Sequence, residues 1–285
     1  MQWKTTRFEI DLSEPRVMGI VNVTPDSFSD GGQHADTLSA LRHCEKMLRE
    51  GAHLLDIGGE STRPGSPAVP LDSELSRVVP VVREAVKLGV PISVDTYKPE
   101  VMAAVLDLGA DVINDIWGLR RQSTSNHPSA LEVVASHPGC GVCLMHMHRD
   151  PQSMQVKPMD GDAVPQVRQF LEQAAQALVA RGVTRNRIVL DPGIGFGKTV
   201  AQNFSLLARQ QELLAAGFPL LVGWSRKSSI AAALQGSAPE LPAPSERVIG
   251  SVAAALLAAE RGAHVLRVHD VHETVQALRI LSSVI

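Results

Sequence analysis

Cysteine is scarce in this chain, with three in 285 residues. An odd, small number in a chain of this length excludes a disulfide framework and fits a reducing compartment, so a cytoplasmic protein is expected. Basic charge is not in excess either: Lys and Arg total 27 against 30 Asp and Glu, for a net charge of −3. That balance gives no overall field to attract nucleic acid or an anionic membrane, so neither is expected as a partner. Long apolar runs are missing. The longest helical one, Val252 to Ala259, falls far short of the ~20 residues that a membrane span needs. No apolar segment follows Met1–Arg7, and no secretory leader is expected. What is present is 44% hydrophobic and 20% charged residues, a composition that can bury a large core.

Short runs of Val, Ile and Leu recur, each followed by a turn and then by apolar residues at helical spacing. Eight strands are predicted at Val17–Asn22, Leu54–Ile57, Ile92–Asp95, Val112–Asp115, Gly141–His146, Ile188–Asp191, Leu220–Gly223 and Val265–His269. Helices are expected around Leu38–Glu50, Ser73–Leu88, Pro99–Leu108, Leu131–Ser136, Pro165–Arg181, Asn203–Ala216, Arg247–Arg261 and His272–Ile280. Strict alternation argues for a parallel sheet. Eight units argue for an α/β fold closed as a (β/α)8 barrel, typically ~250 residues, over an open doubly wound sheet. Glycines just past several helices (Gly51, Gly89, Gly109, Gly217, Gly262) read as left-handed caps. No linker divides the chain. One domain is expected over 1–285, with the barrel proper about 16–282 and loops about 23–34 and 60–72 beside its mouth.

The polar residues fall at strand ends. The strands are apolar until they finish in Asn22, Asp56, Asp95, Asn114 with Asp115, and Asp191, while the last carries Arg267 and His269. Strand side chains alternate faces, so Ser93 and Asp95 share one, as do Arg267 and His269. Any one Asn or Asp here could simply form a turn. Six of eight strands ending this way point instead to polar groups converging on the C-terminal mouth of a barrel, where an anionic small molecule would bind.

Two other segments have open readings. Asp191-Pro-Gly-Ile-Gly-Phe-Gly-Lys-Thr199 is either a loop whose glycines admit a phosphate or flat ligand, or a plain flexible turn; it lacks the Walker spacing. Gly223, Ser225 and Lys227 share a face if the strand continues. Arg226 and Lys227 at a helix start are either solvated charges or the partners of a bound anion. Cys140-x-x-Cys143, near His146 and His148, has zinc-like spacing. Residues three apart on a strand face opposite ways, so buried strand cysteines are the better expectation.

Asn22-Val-Thr-Pro-Asp-Ser-Phe-Ser-Asp-Gly-Gly32 and Asp56-Ile-Gly-Gly-Glu-Ser-Thr-Arg-Pro-Gly65 resemble the two long signatures of the dihydropteroate synthase family. Ser93-Val-Asp-Thr96, Ile113-Asn-Asp-Ile116, Leu144-Met-His-Met147, Leu190 to Lys198, Gly223 to Ser228 and Arg267-Val-His-Asp270 continue the likeness in order, from about Val17 to the C-terminus. The resemblance implies the same barrel. It also implies condensation of 6-hydroxymethyl-7,8-dihydropterin pyrophosphate with para-aminobenzoate, through dissociative loss of pyrophosphate, in a family that sulfonamides target.

By resemblance, Asp56, Asp95, Asn114, Met145, Asp191, Gly223 and Lys227 hold the pterin. Asn22, Arg63, Arg267 and His269 meet the pyrophosphate, with Mg2+ on Asn22. Phe28, Thr62, Arg63, Pro64, Phe196, Lys227 and Ser228 receive the aminobenzoate. Lys227, Arg267, His269 and Asp95 are the catalytic set, and a homodimer is implied. Trp224, His148-Arg149 and the stretch Gln122–Ser129 depart from the family pattern and put the shape of the pocket in question. The rivals are a pterin- or folate-dependent methyltransferase, a Schiff-base aldolase using Lys227, and a non-catalytic pterin-binding barrel. A pyrophosphate clamp of Asn22, Arg267 and His269 separates the synthase from the methyltransferase; an aldolase lysine would be trapped by borohydride and need no Mg2+, and the intact set of Asn22, Asp95, Asn114, Lys227, Arg267 and His269 argues against a decayed, non-catalytic site.

Overall fold

In the computed structural model, which describes residues 1–24, 32–61, 65–122 and 127–284, eight parallel strands close around one axis. The chain opens with a hairpin of β1 (Gln2–Lys4) and β2 (Glu9–Asp11), paired antiparallel with Trp3 opposite Ile10. The barrel strands are β3 (Arg16–Asn22), β4 (Leu54–Gly58), β5 (Ile92–Asp95), β6 (Val112–Asp115), β7 (Gly141–Met145), β8 (Ile188–Asp191), β9 (Leu221–Val222) and β10 (Val265–Val268). Each pairs in parallel with its neighbour in sequence, and β10 returns to pair with β3. Closure between β8 and β9 rests on a bridge between Leu190 and Leu220 and on the Leu190 N–H, which donates to the Pro219 carbonyl at 2.9 Å.

Helices clad the outside: α1 (Gly32–Arg49), α2 (Leu71–Ala85), α3 (Pro99–Asp107), α4 (Ala130–Ser136), α5 (Ala163–Ala180), α6 (Val200–Ala208), α7 (Gln210–Leu214), α8 (Ser228–Leu234), α9 (Val248–Glu260) and α10 (Val271–Leu281). Their starts follow from local chemistry. Ser129 with Glu132, and Thr199 with Gln202, form reciprocal capping boxes, and Asp162 caps α5. The five glycines expected to end helices all have left-handed φ, from 72° at Gly89 and Gly217 to 101° at Gly51. No described helix is long and apolar enough to cross a membrane.

Alternation along the strands separates two apolar cores. Leu55, Ile57, Val94, Ile113, Leu144, Leu190 and Leu266 face the helices. Met18, Leu54, Val112, Cys143, Val189, Leu221 and Val265 face inward and pack around Trp3, Ile10 and Leu12. The hairpin is therefore the floor of the barrel. Trp3 is fully buried and its indole N–H donates to the Arg187 carbonyl at 3.0 Å. Asp111 straps the hairpin to the barrel, accepting from the Arg7 and Ile92 amides at 3.0 and 2.9 Å and pairing with the Arg7 guanidinium.

Besides α8, which is not among the expected helices, and an earlier start of α1, three differences from the sequence expectation bear on the architecture. The hairpin was not foreseen, because its two strands have three residues each and only one long-range anchor apiece. The single helix expected over Asn203–Ala216 is broken at Arg209 (φ −108°, ψ 26°). The break aims the buried Gln210 amide at the Ala258 and Arg261 carbonyls, at 2.9 and 3.1 Å, which satisfies the end of α9. Finally, β9 stops at Val222 and the chain turns: the Lys227 N–H bonds the Trp224 carbonyl at 3.2 Å and Arg226 has φ 58°. Extended parity therefore does not carry from Gly223 to Lys227.

Candidate active site

Two residues above the floor, the inward positions become polar. Asp56 on β4, Ser93 and Asp95 on β5, Asn114 on β6, Asp191 on β8 and Arg267 on β10 sit in one layer at the C-terminal ends of the strands. Register sets their contacts, since Asp56 lies opposite Ser93 and Asp95 opposite Asn114. Asp56 is the hub. Its carboxylate accepts from Ser93 Oγ at 2.6 Å, Asn114 Nδ2 at 3.1 Å and Arg267 Nε at 2.6 Å. Arg267 Nη2 reaches Asp95 Oδ2 at 2.7 Å.

The second oxygen of Asp95, Oδ1, is buried and has no hydrogen-bond partner among the described residues. A buried carboxylate oxygen without a donor costs about 1–3 kcal/mol or more, so its presence points to a ligand donor. Burial raises the Asp95 pKa to about 7; the Arg267 charge opposes this and the Asp56 charge adds to it. Burial likewise raises Asp191, against the Gly193 N–H that bonds its Oδ1 at 2.7 Å. Burial works against the charge of Arg267, but Asp56 and Asp95 more than offset it and hold the guanidinium above its ordinary value.

The rim adds further groups. Lys227 Nζ lies 4.3 Å from the centroid of the Phe196 ring, a cation–π distance. Phe196 packs with Tyr97, Ile116, Met145, Met147 and Met154 in a small apolar cluster. Ser225 Oγ and His269 Nδ1 are hydrogen-bonded at 2.9 Å, and the His269 N–H donates to the same hydroxyl at 3.1 Å. Burial, then the Arg267 and Arg226 charges, push the His269 pKa down to about 3. The mouth thus offers a carboxylate–amide wall, a cation pair and a neutral imidazole beside an apolar platform.

A model of the pterin binding enzyme family matches residues 18–269. The dihydropteroate synthase of Escherichia coli K12 is 49% identical over 96% of this chain and 93% of its own length. Among solved structures, the Burkholderia cenocepacia dihydropteroate synthase complexed with 7,8-dihydropteroate is 47% identical, with a TM-score of 0.86 over 99% of this chain and 96% of that one. The Xanthomonas albilineans synthase with 4-aminobenzoic acid is 48% identical, with a TM-score of 0.86 over 97% and 95%. The chain belongs to the dihydropteroate synthase family.

Most of the residues that the family resemblance selects come together in this mouth: Asp56, Asp95, Asn114, Met145, Asp191, Gly223, Lys227, Arg267 and His269, with Asn22 at the end of β3, Phe196 above them and exposed Ser228 opening α8. Phe28, Thr62, Arg63 and Pro64 lie outside the described residues. A Cβ on Gly223 would stand no closer than 3.8 Å to any atom beyond its chain neighbours, so packing alone does not demand glycine there.

Some expectations fail on geometry. Asp115 points to the helix side, where it accepts from the Trp117 and Leu119 amides at 2.8 and 2.7 Å; there the turn-forming reading holds. Arg226 pairs with Asp270 through two bonds of 3.1 and 2.6 Å, so no bound anion is needed to account for its charge at the start of α8. The loop from Asp191 to Thr199 is not a loose turn, because its surroundings hold it closely. A Cβ on Gly193 would collide with the His146 carbonyl at 1.9 Å, and one on Gly197 with His148 Cβ at 2.6 Å. Lys198 is buried and donates to the carbonyls of His146, Gly193 and Phe196 at 3.3, 2.8 and 3.1 Å.

Cys140, just before β7, and Cys143 within it fall in different cores, and burial raises both thiols, Cys140 to about 12. Trp224 is turned away from the mouth and stacks on Phe204 at 5.4 Å, so this departure from the family pattern leaves the pocket wall untouched. Asn203 has no role in the sequence reading beyond starting a helix. Asn203 is buried and joins the Gly195 amide to Ser229 Oγ, both at 2.9 Å, tying the Phe196 loop to the start of α8. No periodicity marks such a residue.

Proposed function

We propose that this chain condenses 6-hydroxymethyl-7,8-dihydropterin pyrophosphate with para-aminobenzoate, giving 7,8-dihydropteroate and pyrophosphate. The observation that carries the reading at the site is the unpartnered, buried Asp95 Oδ1, set between Arg267 and the Asn114 amide. A pterin edge presents the N–H donors that this oxygen lacks, and Asn114, Asp191 and Lys227 complete a donor–acceptor pattern around it. Three donors already occupy Asp56, so its part is to orient Asn114 and Arg267. Met145 and Gly223 form the apolar walls that a flat ring needs.

The reaction breaks the bond between the pterin methylene and the pyrophosphate oxygen, with the electron pair leaving on pyrophosphate. The arylamine nitrogen then bonds to the cationic methylene and loses a proton. No covalent nucleophile is required. The protein must stabilise the leaving group, exclude water and align the amine. Two of the five N–H groups of Arg267 serve the carboxylates, so one guanidinium can hold the pterin acids and still present donors to the pyrophosphate. His269, neutral at pH 7, adds an N–H donor without further charge. Arg63 joins them by resemblance. Phe196 and the Lys227 stem offer a ring-sized platform for para-aminobenzoate, with Ser228 toward its carboxylate and Phe28, Thr62, Arg63 and Pro64 from the two loops.

Mg2+ belongs to this reading. No cluster of three or more His, Cys, Asp or Glu able to hold a metal exists among the described residues. By resemblance Asn22 would hold the ion through its amide oxygen, a hard donor that suits a cation reluctant to shed its waters. When bound, it would neutralise charge on the leaving group. A cytoplasmic location accords with three free, buried thiols. A homodimer accords with the outward side of α9, where Ile249 is 84% and Leu257 43% exposed in an apolar helix.

Purified protein given both substrates and Mg2+ is expected to release pyrophosphate and dihydropteroate in equal amounts. Tight pterin binding with no release of either product would leave a binding barrel or a methyltransferase relative in its place.

A further inference from the structure

A group of buried charges lies beside the mouth, outside the layer just described. Loop 61–70 departs at Glu60, two residues past β4, and returns into α2, which carries Glu74 in its first turn. Lys98, the residue before α3, lays its ammonium against the carboxylates of both. The two residues before it bind the same pair: Tyr97 Oη donates to Glu60 Oε1 at 2.9 Å and Thr96 Oγ1 to Glu74 Oε1 at 2.7 Å. The departing and returning ends of one loop are thus tied to three consecutive residues that directly follow Asp95. The side chains of Lys98, Glu60 and Glu74 are 13%, 8% and 1% exposed.

Packing reinforces the arrangement. A Cβ on Gly59 would stand 2.5 Å from Val78 Cγ2, so the exit of β4 lies directly on α2. Ser66 Oγ donates to Ser61 Oγ at 3.1 Å across the loop stem. The Gly65 N–H donates to the Pro151 carbonyl at 3.3 Å. Burial opposes the Lys98 charge, but the bonds from Glu60 and Glu74 hold its pKa above the ordinary lysine value. Burying three charges adds little net stability compared with an apolar filling of the same volume. Fixing the ends of a loop is a different benefit, because it removes chain entropy that a ligand would otherwise have to overcome.

We infer that Lys98 is a positioning residue for aminobenzoate binding: it clasps both ends of loop 61–70 to the strand end that presents Asp95. The inference rests on the condensation reading above, since that reading gives Thr62, Arg63 and Pro64 to the aminobenzoate. Lys98 itself touches no substrate.

The test uses the full chain and three variants: Lys98→Met, Lys98→Arg and Glu60→Ala. Glu60→Ala leaves Glu74 paired with Lys98 and Thr96 and frees only the departing end. Hydrogen exchange of the 61–70 amides should quicken in Lys98→Met and Glu60→Ala and stay near wild type in Lys98→Arg. In steady state, the KM for para-aminobenzoate should rise about ten-fold in Lys98→Met and Glu60→Ala, with the KM for the pterin pyrophosphate within about two-fold. Unchanged exchange, or an equal rise in both KM values, overturns the inference. If Lys98→Met does not fold, Glu60→Ala decides alone. A wild-type chain without turnover would defeat the condensation reading, while exchange over 61–70 would still report on the clasp.

Discussion

Inward side chains two residues apart on the same strands have opposite character. On β4 they are Leu54 then Asp56, on β6 Val112 then Asn114, on β8 Val189 then Asp191, and on β10 Val265 then Arg267. The lower member of each pair packs against Trp3 and the N-terminal hairpin, whereas the upper members form the hydrogen-bonded layer of the mouth. Both layers are buried, so burial alone does not distinguish them. The lower layer stabilises the fold through apolar contact. The upper one leaves an acceptor open at Asp95 and holds that carboxyl at a pKa of about 7, an arrangement that weakens an empty protein and suits one waiting for a ligand.

The sharpest way to break this comparison is at Arg267. Arg267→Ala should lower kcat/KM by about a thousand-fold or more, because it removes the leaving-group donors and leaves Asp56 and Asp95 facing each other unpaired. Lysine should not rescue it, since a single ammonium cannot span two carboxylates in the manner of a planar fork. The converse change is Trp3→Ala in the floor. Chemical denaturation should show a loss of about 3–5 kcal/mol of stability. Yet kcat and both KM values per folded molecule should stay within about two-fold. A floor variant that loses activity as the mouth variant does would show that the two layers are not separable.

A smaller effect concerns pH. The free protein holds a proton on Asp95 up to about pH 7, and a ligand N–H needs the ionised form. Pterin binding therefore releases that proton at low pH. Affinity measured by calorimetry should climb by up to ten-fold per pH unit and level off above about pH 7. Asp95→Asn should bind weakly and without the slope. The smallest expected effect lies far from both layers: Ile249→Asp, on the α9 face proposed above for a homodimer, should leave a monomer in light scattering and the pH profile of pterin binding unchanged.

Much of this was legible in the residues. Strand positions could be read because most barrel strands are short apolar runs that turn polar near their ends, as in Ile92–Asp95 and Val112–Asp115, whose predicted and observed bounds coincide. Convergence of Asp56, Asp95, Asn114, Asp191 and Arg267 followed from alternation once the barrel was assumed. What stayed hidden depends on contacts distant in sequence. Trp3 meets Arg187 across 184 positions, and nothing near residue 3 announces a barrel floor. Arg226 and Lys227 are adjacent cations at a helix start, and only the fold brings Asp270 to one and the Phe196 ring to the other. Of the glycines after Asp191, Gly193 and Gly197 are small because the His146–His148 segment presses on them, a contact distant in sequence, whereas Gly195 meets only the Lys227 side chain.

The central claim is that the open oxygen of Asp95, with Asn114 and Asp191, reads the amino-bearing edge of a pterin. Calorimetry with a pterin and with the same ring lacking its 2-amino group tests this most directly. A site built to accept that N–H should bind the deaminated ring about a hundred-fold or more weakly, because buried acceptors are then left unpaired. Equal affinity for the two rings would contradict the account.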